Sequence, residues 1–80
     1  MHELGVLTRA LARIQRLAAE KGIERVKYVT LEVGESSGYV PAYFVKLHPA
    51  AREMYPALRL AELRLDTVPG GGLRIKDIAY

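Results

Sequence analysis

"RVKYVTLEVGESSGYVP", residues 25–41, is the stretch on which the fold turns. Its first nine residues are rich in β-branched side chains, and Val29, Leu31 and Val33 alternate with Tyr28, Thr30 and Glu32. A period of two with one apolar set predicts a strand over 25–33 with a single buried face. "GESSG" then breaks the regularity. Pro41 follows at a position suited to the first residue of a helix, where no N–H is needed. A strand therefore hands over to a helix in the middle of the chain.

Working outward toward the amino terminus, Leu4, Leu7, Leu11, Ile14, Leu17 and Ala18 recur at spacings of three and four. That is one apolar stripe on a helix over about 4–21, stopped by Gly22 as its C′ residue. Glu3 lies at or before the first turn, where negative charge suits the helix dipole. Toward the carboxyl terminus, Ala42–Met54 reads as a second helix, with Phe44, Val45 and Leu47 as core candidates. Pro49 inside it predicts a kink or break near His48. Leu58–Val68 returns to period two, with Ala61, Leu63, Leu65 and Thr67 on one face and Glu62, Arg64 and Asp66 on the other. "PGGG" at 69–72 precedes a last strand, Leu73–Tyr80, and so short a link predicts a hairpin. The order α-β-α-β-β implies an α+β fold: two helices on one face of a small three-stranded sheet, mixed or antiparallel.

The chain has 80 residues, enough for one domain, 1–80, which buries about 60–65% of its unfolded surface. It has no cysteine, so neither a disulfide nor a thiolate metal site can staple it. That composition, and the lack of a signal-peptide pattern, point to the cytoplasm. Arg9, Arg13 and Arg16 interrupt the first apolar stretch, which rules out a membrane span there. The net charge of +3 is spread over scattered arginines and does not indicate nucleic-acid binding. Absence of asparagine, a single glutamine and abundant arginine are compatible with a thermophilic source.

No enzyme signature emerges. There is no thiol nucleophile, and Ser36 and Ser37 have no evident histidine partner. Glu32 and Glu35 read as solvated acids at a strand end. The 70–72 glycines lack the Lys-Ser/Thr of a phosphate loop. The amino terminus, "MHELG", differs. The Met1 amine, a deprotonated His2 amide and the His2 imidazole can close two fused chelate rings around one ion, three nitrogens in a plane that suit Ni²⁺ or Cu²⁺. A Glu3 amide or carboxylate can complete the square. Read without that ion, His2 is an exposed, idle side chain. His48, before a proline, is a structural or exposed histidine, with a second ligand or a pH switch as the other reading.

"MHEL", the leucine-striped helix, "LEVGESSGYVP" and a closing "LRIKDI" together resemble the HypA/HybF family of nickel-insertion proteins, in order and over nearly the whole chain. The resemblance implies a metallochaperone that helps deliver Ni²⁺ to [NiFe] hydrogenase precursors, and in some organisms to urease, with the HypB GTPase. It designates Met1, His2 and Glu3 as the nickel-binding residues. Relatives carry a zinc-binding domain with two CxxC pairs between the last two strands; here 69–72 holds only a short link, and no zinc is expected. Ala42 stands where the family often has an acidic residue. The alternative is a dimerising or adaptor module without metal, working through an exposed patch around Tyr39, Tyr43 and Phe44.

Overall fold

The computed structural model describes residues 2–80; Met1 lies outside the described residues. The elements are α1 (Glu3–Lys21), β1 (Tyr28–Gly34), α2 (Pro41–Ala51), two 3₁₀ turns (Arg52–Met54 and Pro56–Leu58), β2 (Glu62–Val68) and β3 (Leu73–Ala79). Gly22 ends α1 in the left-handed region at φ 69°, with the Ile23 N–H reaching back to the Ala18 carbonyl at 2.8 Å. The α+β class and the mixed sheet follow the sequence reading.

Sheet order is β2-β1-β3, with β1 parallel to β2 and antiparallel to β3. The expected hairpin of the last two strands is therefore corrected: β1 lies between them, and the 69–72 link crosses over its end. Gly34 makes that crossing possible. A Cβ there would meet the Gly70 carbonyl oxygen and the Gly71 backbone. The crossing is tied down by backbone bonds from Gly34 N–H to the Gly72 carbonyl (2.9 Å), Glu35 N–H to Val68 (2.8 Å) and Ser36 N–H to Gly70 (2.9 Å).

Both helices and the inner face of β1 close one core. Leu7, Leu11, Ile14, Val29, Leu31, Val33, Phe44 and Leu58 are its buried large side chains, each contributing about 1.5–3 kcal/mol by leaving water. Leu63 and Leu65 from β2, and Leu73, Ile75 and Ile78 from β3, pack against it. A register shift opposite Thr30/Leu31 lets Ile75 and Ile78, three residues apart, face the same side. The other face is polar: Arg74 pairs with Glu32 at 2.7 Å, Lys76 pairs with Asp66 at 3.0 Å, and the Arg64 guanidinium sits 3.6 Å from the Tyr28 ring centre.

Several expectations shift in detail. Leu4, Leu17 and Val45 are exposed and Leu47 is only partly buried, whereas Val6 and Ala10 join the core. The second helix begins at Pro41 and runs through Pro49 to Ala51, so the break falls beyond His48. β2 begins at Glu62, because Pro56–Leu58 forms a 3₁₀ turn fastened to α1. There the Gln15 Oε1 accepts from the Ala57 N–H at 2.9 Å, and the Tyr55 hydroxyl donates to the Thr8 carbonyl at 3.1 Å.

His48 is the structural histidine of this core. It is buried, with Nε2 2.8 Å from the Ala61 carbonyl, which Arg52 Nη1 also reaches at 3.0 Å. Among the described residues Nδ1 has no partner, so a second proton would find no acceptor there. Burial pushes its pKa below the ordinary 6.5, and the Arg52 charge adds to this against the Ala61 bond. The folded state thus holds His48 neutral while the unfolded chain takes up a proton below about pH 6.5. Stability should be flat above that pH and decline as pH falls toward the folded pKa, at no more than about 1.4 kcal/mol per pH unit. Urea midpoints between pH 7.5 and 5 check this, and His48→Gln should flatten the decline even if it lowers the plateau.

Candidate metal centre

The chain enters α1 at His2, whose backbone (φ −114°, ψ 38°) is not yet helical. The His2 carbonyl accepts the first intrahelical bond from the Val6 N–H at 3.0 Å. Its side chain is exposed and makes no capping hydrogen bond. The imidazole is thus free in solvent while the backbone that carries it is held by the helix. The His2 amide N–H precedes every intrahelical bond, so losing its proton costs α1 nothing. The positive end of the helix dipole favours an anionic amide at that point.

Glu3 behaves oppositely. It is only 3% exposed, and its Oε2 accepts the Val40 N–H at 2.8 Å across 37 residues of sequence. Val40 is the N-cap of α2, and Pro41 at the first helical position offers no N–H of its own. The Glu3 carboxylate therefore serves the amino-terminal ends of two helices at once. The positive charge of the chain's amino terminus, then the hydrogen bond from Val40, lower its pKa to about 2. It stays ionised throughout the neutral range and places a fixed negative charge beside His2.

Of the residues named from sequence, Met1 lies outside the described residues, His2 projects from the start of α1, and Glu3 anchors that start to α2. The Glu3 carboxylate, bound to Val40, is part of what holds the fold together. His48 is buried beneath Ala61 and takes no part. Among the described residues no three His, Asp or Glu side chains gather as a metal site. His2 offers one imidazole beside backbone nitrogen, donors of the kind that a square-planar ion accepts. Val40 is the site residue that sequence reasoning missed. No side-chain pattern marked it, because it contributes only a backbone N–H.

The supposed aromatic patch divides. Phe44 is fully buried, Tyr39 packs edge-on against it at 5.8 Å between ring centres, and only Tyr43 is exposed. Leu4 and Val40 are exposed apolar side chains as well. The described residues contain no helix long and apolar enough to cross a membrane.

Glu3→Ala should leave the Val40 N–H without its acceptor and remove the charge at both helix ends. Faster hydrogen exchange at the Val40 amide and a lower thermal midpoint are expected. Glu3→Gln, which keeps an acceptor, should fall between the variant and the parent.

The two stretches that carried the resemblance, "MHEL" and "GESSGYVP", are thus joined by one hydrogen bond. A search of curated proteins returns no match. Among solved structures the chain is similar to the "Solution structure of the Ni metallochaperone HypA from Helicobacter pylori", with a TM-score of 0.88 over 99% of this chain and 97% of that one at 16% identity. It is also similar to the "Solution structure of HypA protein", with a TM-score of 0.71 over 96% of this chain and 71% of that one at 19% identity. At such identities the likeness speaks for the fold. The family profile described as "Hydrogenase/urease nickel incorporation, metallochaperone, hypA" matches residues 1–73, from the amino-terminal segment to the start of β3, and the chain belongs to that HypA family.

Proposed function

We propose that this member of the nickel-incorporating family carries Ni²⁺ at its amino terminus and passes it toward a nickel enzyme under maturation. Met1 supplies the amine, His2 the amide and imidazole, and Glu3 an amide or carboxylate at the fourth position. The observation that carries the reading is the Glu3–Val40 bond, which fixes the start of α1 while leaving the His2 ring in solvent. A chelate made of one exposed ring and backbone nitrogens suits a carrier, which must release its cargo as well as bind it.

The role is that of a carrier and not of an enzyme. A HypB-type GTPase and the large-subunit precursor of a hydrogenase are the partners that the family resemblance implies, in the cytoplasm. The Pro69–Gly72 link stands where relatives hold the zinc domain, and the cysteine-free chain supports a reading as the nickel-binding domain alone, without zinc.

Calorimetric titration of the untagged protein with Ni²⁺ should give about one site per chain. Acetylating the Met1 amine, or placing several residues ahead of it, should abolish that site, because one chelate ring is lost and amide deprotonation is no longer driven. Binding undiminished by either change would assign the metal elsewhere.

A further inference from the structure

A groove of about 1400 Å³ runs between α1 and β3. We infer that it receives an extended acidic segment of a partner protein, which adds to the free edge of β3 as a fourth strand. Among the described residues β3 pairs with β1 on one side only, so its other edge presents unpaired backbone N–H and C=O groups. An added strand would satisfy them at the usual spacing of roughly 4.8 Å. The floor is apolar and half-buried: Leu73, Ile75 and Ile78 turn their core-side faces into the groove.

The wall selects the charge of the occupant. Arg9, Arg13 and Arg16 stand four and three residues apart on α1, all exposed, and none has an ion-pair partner among the described residues. Like charges at these spacings repel one another on a helix, so the stripe costs the free protein stability that carboxylates would restore. Glu20 and Asp77 are the acids lining the groove, against five basic residues when Arg74 and Lys76 are counted. Those last two already pair with Glu32 and Asp66. The three helical arginines are left for a ligand.

A second copy of this chain fits poorly. Edge-to-edge pairing of two β3 strands would bring two basic walls together. The irregularity between Ile75 and Asp77, with Lys76 at its centre, is a common guard against such self-pairing. Complementary charge instead steers and selects a partner.

The probe is a seven-residue peptide alternating glutamate and valine, blocked at both ends. A register slip of one residue exchanges its faces, so either set can meet the groove. Amide shifts followed by NMR should concentrate on β3 and on the groove side of α1. Affinity should fall as salt is raised. Reversing Arg9, Arg13 and Arg16 to glutamate, or the peptide's glutamates to lysine, should each weaken binding about tenfold or more. N-methylation of alternate peptide amides should abolish it, separating strand addition from mere charge attraction. Three results would each overturn the proposal: no shift of the β3 amides at millimolar peptide, equal binding of the lysine and glutamate peptides, or protection of the β3 edge by concentration-dependent dimerisation.

Discussion

Replacing His2 with alanine should weaken Ni²⁺ binding by about a hundredfold or more, equivalent to roughly 2.7 kcal/mol, with the thermal midpoint unchanged. The two halves of that expectation have separate causes. The His2 side chain is exposed and makes no hydrogen bond within the described structure, so its removal takes nothing from the fold. In the proposed site, however, the imidazole is the anchor that lets a metal displace the proton of the His2 amide, so its loss removes two ligands at once. Binding in the parent should also weaken steeply as pH falls, because protons compete for every nitrogen involved. Titration calorimetry with circular dichroism of the same samples checks both halves. If the alanine variant kept affinity within about threefold, the ion would not be held by this chelate.

How far this was legible from the sequence depends on the range over which each feature is decided. α1 and β1 were readable because their periodicities are local and unbroken, and Gly22 announced its own cap. Strand pairing was not, because the choice between a hairpin and a crossover rests on what lies over Gly34, some 36 residues before Gly70 in the chain. β3 was half-readable. Leu73 and Ile75 follow period two, but Ile78 falls out of phase until the irregularity at Lys76 restores it to the core face. In α2, Val45 and Leu47 are as apolar as Phe44, yet the sequence does not say which side of a short, proline-containing helix meets the sheet. At the site, the exposure of His2 was foreseeable for a chain end. The burial of Glu3 was not, since its partner Val40 is a backbone group and leaves no side-chain pattern to recognise.

Gly34→Ala should be the most destabilising single-methyl change in the chain, costing about 3 kcal/mol. That corresponds to a thermal midpoint lower by roughly 15 °C in a domain of this size. The added Cβ would collide with the Gly70 carbonyl oxygen and stand 2.7–2.8 Å from Gly71 backbone atoms. The link that carries these main-chain atoms is held by three hydrogen bonds to residues 34–36, so neither side can yield without opening the crossing. Glycines within the link itself separate this effect from backbone freedom. At Gly71 a Cβ meets nothing and φ is not positive, so Gly71→Ala should be neutral or stabilise by about 0.5 kcal/mol. Gly70 and Gly72 hold φ of 94° and 81°, and alanine there should cost about 1 kcal/mol each through strain alone. The contrast is specific to the β2-β1-β3 order. In a hairpin the link would turn at the edge of the sheet, β1 would end in solvent, and alanine at position 34 would be tolerated. Urea denaturation of the four variants decides the matter. Equal cost at positions 34 and 71 would refute the crossover, whereas a gap of about 3 kcal/mol between them would show that one missing side chain lets the last strand reach the far side of β1.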